Sequence, residues 1–332
     1  MAHTHRPAVA VLGFDPMTEP AGEVRLDSIG ELADVRLATN AAELTDALDG
    51  APVLLVLDFR AGVVRKAWPA ARSLRWIHAA SAGVENLMFP ELRDSPVVVT
   101  NARGVFDDAI AEWVLGVLLT FCKGLHISRD LQREATWSHR ESERLAGKRM
   151  LVVGAGGIGR AIARLSTAAG VDVTVAARHA RTDDEFGTII ASEELDAFMK
   201  AADFVTLAAP LTPQTHGVLS AERLALMRPD ARLINVGRGE LVDEKALRAA
   251  LRDDRLGGAA LDVFTTEPLP PNDELWTMPN VIVSPHMSGD VAGWRQDLID
   301  QFTANLRRWI NDEPLENVID KNAGYATGAR TQ

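Results

Sequence analysis

Apolar residues in this chain of 332 residues come in short blocks rather than singly. Nearly continuous apolar runs, "AVAVLGF", "PVLLVLDF", "LRWIHAA" and "PVVVTN", occupy roughly the first hundred residues and are separated by stretches with helical spacing. A second series, "RMLVVG", "VDVTVAA", "DFVTLAAP", "ARLINVG", "GGAALDVF" and "NVIVSP", follows after a long apolar-rich segment predicted as one helix from Asp107 to Arg129. Strands buried on both faces need such runs, because crossover helices cover both sides of a parallel sheet. Two α/β lobes are predicted. The tail from Asn322 to Gln332 lacks apolar periodicity and is expected to be poorly ordered.

Length agrees, being too great for one typical domain and suited to two. The shares of hydrophobic (47%) and charged (24%) residues are those of an ordinary globular protein. No run of eighteen apolar residues occurs and "MAHTHRPAVAVLGF" lacks a signal-peptide pattern, so a cytoplasmic location without a membrane partner is expected. A net charge of -11 argues against nucleic acid, which needs a basic face. Cys122 is the only cysteine and lies in "VLGVLLTFCKGL", where a buried thiol is expected rather than a nucleophile. His3, His5, His78, His126, His139 and His216 show no metal-ligand spacing, so no metal is expected.

The chemistry begins at "LVVGAGGIGR". Gly154, Gly156 and Gly159 have the spacing G-x-G-x-x-G between a predicted strand and a predicted helix, with Gly157 and Ile158 inside the turn. The first glycine allows a tight turn, the second lets the backbone approach a pyrophosphate, and the third lets helix and strand pack closely. Backbone N–H groups at the helix start then face phosphate. A dinucleotide cofactor is predicted. At the end of the next strand an acidic residue would bind the ribose 2′-OH of NAD, whereas arginine suits the 2′-phosphate of NADP. That place in "VTVAARHAR" holds Ala177 and then Arg178, with Arg181 nearby. NADP(H) is therefore preferred, with NAD(H) possible if Asp183 or Asp184 reaches the ribose instead.

The segment from "LTPQTHGVLSAERLALMRPDARLINVGRGELVDEKALRAALRDDRLGGAALDVFTTEPLP" to "NVIVSPH" resembles the D-isomer-specific 2-hydroxyacid dehydrogenases, and "SAGVENL", "VTNARGV" and "IAEWVLG" agree more loosely. The resemblance implies an α/β protein with two Rossmann-like lobes, a flavodoxin-like substrate domain carrying an inserted NAD(P)-binding Rossmann domain. Its segments would be residues 1–101, the inserted domain 102–287, and the return 288–332. It implies an oxidoreductase moving a hydride between NADP(H) and a small 2-oxo acid or D-2-hydroxy acid, of the glyoxylate or hydroxypyruvate type. The family's catalytic arginine, glutamate and histidine match Arg238, Glu267 and His286. A 2-oxo acid needs a fixed cation for its carboxylate and a proton for its carbonyl oxygen, which Arg238 and His286 can supply while Glu267 orients the ring.

Further residues follow from the same resemblance. Gly83 and Val84 match a loop whose amides bind the substrate carboxylate, a plain turn being the alternative. Pro210, Thr212, Val236 and Gly237 match positions along the cofactor, with turn or capping roles as the alternative for Thr212 and for Asn235. Asp262 matches the residue that holds the nicotinamide amide, the alternative being a buried carboxylate satisfied by backbone donors. Trp137, Trp294 and Met287 are as readily core as pocket wall. Phe59 or Arg60 could face a substrate side chain. A homodimer through the long apolar helix is implied. A dinucleotide-sensing corepressor and an enzyme oxidising another small anion such as phosphite remain alternatives. Formate dehydrogenases carry glutamine where this chain has Glu267, and phosphoglycerate dehydrogenases often carry a further regulatory domain.

Overall fold

The computed structural model describes residues 6–13, 25–57 and 61–325. Phe59 and Arg60 lie outside the described residues, as do His3, His5 and the last part of the tail. The chain divides into two compact units, Met1–Val105 with Val291–Gln332, and Phe106–Asp290. The boundaries expected at 101/102 and 287/288 fall a few residues earlier than these.

The first unit is built on five parallel strands, β1 (Ala8–Leu12), β2 (Asp34–Ala38), β3 (Val53–Val56), β4 (Trp76–Ala79) and β5 (Val98–Asn101). Their order, β2-β1-β3-β4-β5, is that of flavodoxin-like sheets. Every side chain of β3 and β4 is buried, as the continuous apolar runs require. β2 was not anticipated, because at the sheet edge only Ala38 of "DVRLA" is buried and no apolar run marks it. The helix Trp294–Ile310 returns the chain to this unit by stacking Phe302 on Trp76 with ring centroids 5.2 Å apart.

The second unit carries β6 (Arg149–Val153), β7 (Asp172–Ala177), β8 (Arg181–Asp183), β9 (Gly187–Ala191), β10 (Phe204–Leu207), β11 (Arg232–Asn235), β12 (Gly258–Leu261) and β13 (Val281–Val283). The sheet order is β13-β12-β11-β10-β6-β7-β9-β8, with every pair parallel except β8 on β9. Read from β9 to β12 this is the Rossmann order, whose switch point lies beside the central β6. The β8–β9 hairpin, which begins at the last residue of "RHAR", was not anticipated. Three-residue β8 is too short and too polar to show periodicity.

The single helix expected from Asp107 to Arg129 is corrected to two. Asp107–Lys123 ends at Gly124, which takes a left-handed φ of 56° that only glycine adopts without cost, and Leu125–Arg133 leaves at 66° to it. The first helix buries Ile110, Val114, Val117, Leu118, Phe121 and Cys122. Burial pushes the Cys122 thiol up, with the Glu143 carboxylate adding to the effect, so it is protonated and unreactive. No single helix among the described residues is long and apolar enough to cross a membrane.

A buried histidine stands in the core of the first unit. His78 on β4 is fully buried, and its Nδ1 lies 2.8 Å from the Thr100 hydroxyl, which also accepts the Trp76 indole N–H at 2.9 Å. A hydroxyl that accepts from Trp76 can still donate to Nδ1, which keeps the ring neutral. Burial pushes the His78 imidazole down to about 3. The unfolded chain takes up this proton near pH 6.5, so stability is whole above that pH and is lost as pH falls toward 3. Each unit of pH below the upper limit costs about 1.4 kcal/mol. Urea unfolding of wild type and His78→Asn between about pH 6 and pH 4 checks this: the pH slope of stability is expected to be shallower in the variant by about that amount.

Candidate active site

The candidate residues of the second unit lie at or just beyond the C-terminal ends of its parallel strands. Gly154 follows β6, Arg178 follows β7, Pro210 follows β10, Val236 to Arg238 follow β11, Asp262 follows β12 and His286 follows β13. Open α/β sheets bind their ligands at that edge.

Four glycines lie at the start of the helix Gly157–Ala168, and the protein's own packing fills the Cβ position of three of them. Gly154 has φ 121°, and a Cβ there would lie 2.6 Å from the Ala208 carbonyl oxygen on the neighbouring strand's exit. A Cβ on Gly159 would collide with the Gly154 carbonyl. Gly156 differs, with φ -79°, ψ -173° and no atom within 4 Å of where a Cβ would stand. Any residue could adopt that conformation, so the missing side chain leaves room for something other than protein. The space suits a pyrophosphate against the helix N-terminus. Gly157 lacks a Cβ for another reason: the Asp107 carboxylate fills its place. Ile158 is half-buried in the first turn.

At the end of β7, Ala177 is half-buried while Arg178 and Arg181 are exposed. Asp183, the acid that could have served the ribose, is committed elsewhere. It takes a two-pronged bond from Arg160, at 2.5 and 3.2 Å, and accepts the backbone N–H groups of Glu185 and Phe186. The Arg160 bond, strengthened by the backbone donors, holds its carboxyl down to about 2. Asp183 pairs with Gly187, whereas Ala177 pairs with Ala191. Four residues of strand separate the two levels, about 13 Å at roughly 3.3 Å per residue.

Arg238, Glu267 and His286, the residues expected to be catalytic, fall entirely within the second unit, on loops that interlock. Asn235 clasps the turn after β11 from both sides, its Nδ2 donating to the Arg238 carbonyl at 2.9 Å and its Oδ1 accepting the Gly237 N–H at 3.1 Å. This is the turn role left open for Asn235. Gly239 presses against the backbone of Phe264 and Thr265, where any side chain would collide. The turn bearing Arg238 therefore lies directly on the loop that bears Glu267. That loop is held from behind, the Thr265 N–H donating to Glu244 at 2.8 Å, and Glu244 in turn pairing with Arg248 at 3.1 Å.

Glu267 accepts the Phe264 N–H on one oxygen at 2.8 Å and faces His286 Nδ1 with the other at 2.9 Å. Burial alone would push its carboxyl up, but the bonds from His286 and Phe264, with the positive charges of His286 and Arg238, outweigh it and hold the carboxyl below its ordinary value. The group is an anion at neutral pH and can only accept. His286 Nδ1 therefore carries the hydrogen, and Nε2 is the ring atom that can give or take a proton. His286 itself has φ 52°, unusual for a residue with a side chain. Its N–H donates to the Asp262 carbonyl at 2.8 Å, and the buried Asp262 carboxylate accepts from Met287 N, Ser288 N and the Ser288 hydroxyl. Both Asp262 oxygens are thus engaged in holding the histidine loop, the alternative left open from the sequence.

The weaker expectations resolve differently. Thr212 is buried in a turn closed by Thr215, whose hydroxyl also bonds the Pro210 carbonyl. Val236 is buried, and Gly237 is pressed between Leu241 and the Ala209 carbonyl. Gly83 and Val84 belong to the other unit, in a turn after β4 held by the Ser81 hydroxyl on the Gly83 carbonyl at 2.7 Å and by Asn101 on Ala82. Trp137 is exposed, as is Met287, and Trp294 opens the returning helix. Gly239, Phe264, Glu244 and Ser288 went unnoticed in the sequence. Glycine in "GRGE" was the one visible signal among them. Among the described residues no group of three or more His, Cys, Asp or Glu could hold a metal ion.

Residues 115–288 match the family described as D-isomer specific 2-hydroxyacid dehydrogenase, NAD binding domain. Glyoxylate reductase of Thermofilum pendens is 33% identical over 76% of this chain and 76% of its own. D-3-phosphoglycerate dehydrogenase of Methanocaldococcus jannaschii is 29% identical over 94% of this chain, which spans only 59% of that protein's length. The crystal structure of an NADPH-dependent glyoxylate/hydroxypyruvate reductase from Sinorhizobium meliloti, with NADP and sulfate, superposes with a TM-score of 0.83 at 26% identity, covering 96% of this chain and 100% of that one. This chain belongs to the D-isomer specific 2-hydroxyacid dehydrogenases, a family of oxidoreductases that use a nicotinamide dinucleotide.

The glycine geometry separates ligand from fold. Gly156→Ala is expected to melt within a few degrees of wild type, since surface changes of this kind stay within about 0.5 kcal/mol. It should nonetheless bind the dinucleotide at least tenfold more weakly, whereas Gly159→Ala should lower the melting temperature itself. Thermal melts paired with calorimetric titration check both.

Proposed function

We propose that this protein reduces small 2-oxo acids, of the size of glyoxylate or hydroxypyruvate, to D-2-hydroxy acids with NADPH. The observation that carries the proposal is the ionised Glu267 against His286 Nδ1, within reach of the Arg238 charge. The bound cofactor supplies the hydride. Arg238 holds the substrate carboxylate and polarises the ketone with a charge-assisted contact. His286 Nε2 delivers the proton to the carbonyl oxygen, and in the reverse direction removes it from the hydroxyl. Glu267 keeps the ring in the one tautomer that can do so and stabilises its cation.

NADPH is preferred over NADH because Ala177 offers no ribose acceptor and Asp183 is locked to Arg160 a strand's length away. Arg178, with Arg181 behind it, is the partner for the 2′-phosphate. Supporting the same choice, the similar reductase from Sinorhizobium meliloti is NADPH-dependent. A homodimer is part of the reading, since Leu119, Leu125, Ile127 and Trp137 are all exposed on and after the long apolar helix. Light scattering tests it.

Turnover with a panel of 2-oxo acids, 3-phosphohydroxypyruvate included, tests the substrate class. Ala177→Asp with Arg178→Ala should shift cofactor preference toward NADH by more than tenfold, since a charge-assisted bond is worth about 1.5 to 3 kcal/mol. A wild type that already favours NADH would overturn the NADPH assignment.

The trio is tested by pH profiles of kcat/KM in both directions. His286→Ala should lose about 10²- to 10⁴-fold in each. In Glu267→Gln the imidazolium loses its counter-charge, so the pH above which reduction fails should move down, while oxidation at low pH suffers less. Arg238→Ala should raise KM as well as lower kcat, because its charge serves ground state and transition state alike. An unchanged reduction limb in Glu267→Gln would refute the pairing.

A further inference from the structure

The β8–β9 hairpin is fastened to the glycine-loop helix by a compact set of ion pairs that the catalytic chemistry does not use. Arg160 and Arg164 lie one helical turn apart on Gly157–Ala168. Arg160 grips Asp183 with both prongs and reaches Glu185 at 2.9 Å. Arg164 takes Glu185 with two more bonds, at 2.6 and 3.1 Å. The Arg160 guanidinium also lies over the Phe186 ring, 4.8 Å from its centre. Fork-to-fork pairs of this kind fix direction as well as distance. At its other end the hairpin bounds the segment Arg178 to Ala180. Ala177 is paired with Ala191 and Arg181 with Ile189, so both stems of that short loop are strapped to β9.

We propose that this clamp of Arg160 and Arg164 on Asp183 and Glu185 is a selectivity device that positions the Arg178 loop for the cofactor's 2′-phosphate. The inference rests on the NADPH reading above. The clamp works by presetting the loop, so that binding phosphate costs little ordering. The benefit reaches only a cofactor that touches the loop through its phosphate, because a bare ribose makes no charged contact there. Arg160, Arg164, Asp183 and Glu185 are therefore positioning residues, and their loss should be felt by NADPH and not by NADH.

The test is calorimetric titration of NADPH and of NADH into wild type, Asp183→Asn with Glu185→Gln, Arg178→Ala, all three substitutions together, and the charge swap Arg164→Glu with Glu185→Arg. Unclamping should weaken NADPH about tenfold and change NADH less than twofold, with NADH binding and the melting temperature reporting that the unit is folded. In the Arg178→Ala background unclamping should cost NADPH nothing further, because the residue it positions is gone. The charge swap should regain most of the NADPH affinity. Equal losses for both cofactors, no loss for either, or a loss that simply adds to that of Arg178→Ala overturns the clamp. A wild type whose NADPH affinity does not depend on Arg178 overturns the NADPH reading and the clamp with it. Dependence on Arg178 together with selectivity that survives unclamping overturns the clamp alone.

Discussion

His286 can meet Glu267 only because its backbone is held where residues with side chains rarely go. A φ of 52° costs energy, and it persists because the neighbouring contacts over-determine it. Those contacts come from one residue on the adjacent strand, Asp262, whose carbonyl takes the His286 N–H and whose buried carboxylate takes the two residues after it. A buried carboxylate without partners would be expensive, so the loop and the acid each require the other. Placing the His286 ring is here a matter of anchoring a turn. The imidazole has little freedom left to spend.

The same logic runs through the loops beside it. Gly239 lets the Arg238 turn and the Phe264–Glu267 loop touch backbone to backbone, and Glu244 and Arg248 hold that loop from the helix behind. The cation, the carboxylate and the imidazole come from loops beyond three adjacent strands, β11, β12 and β13, whose parallel register brings their C-terminal ends to one edge. Precision at the site is inherited from the sheet and conveyed by glycine contacts and buried hydrogen bonds. Asn235 belongs to that scaffold as well, one amide fixing both sides of the arginine's turn.

Cofactor recognition uses rigidity differently. Gly154 and Gly159 are demanded by the protein's own packing, while Gly156 stands in open space, where that packing makes no demand. Charge is arranged locally beside it: Asp183 and Glu185 are engaged by Arg160 and Arg164, and Arg178 and Arg181 are exposed on a chain that is acidic overall. Local arrangement, more than net charge, decides what can bind.

Much of this was legible beforehand. Continuous apolar runs betrayed ten of the strands because strands buried on both faces leave no polar alternation to hide them, and the spacing from Gly154 to Gly159 declared the dinucleotide turn because Gly154 and Gly159 have no room for a side chain. The motifs around Arg238, Glu267 and His286 marked them as one set, and the structure brings their loops together. The edge strands β2 and β8, their neighbour β9, the break at Gly124, and the double engagement of Asp262 were not legible. Edge strands are half-solvated and need no pattern, and a glycine inside an apolar stretch reads equally as packing or as a helix end. The sequence alone determined which chemical groups are present and on which strands they ride. Only the tertiary structure decided that Asp183 turns to Arg160, that Asp262 serves the histidine loop, and that Glu267 meets Nδ1, because each depends on contacts between residues 19 to 26 positions apart along the chain, whose approach no local pattern encodes.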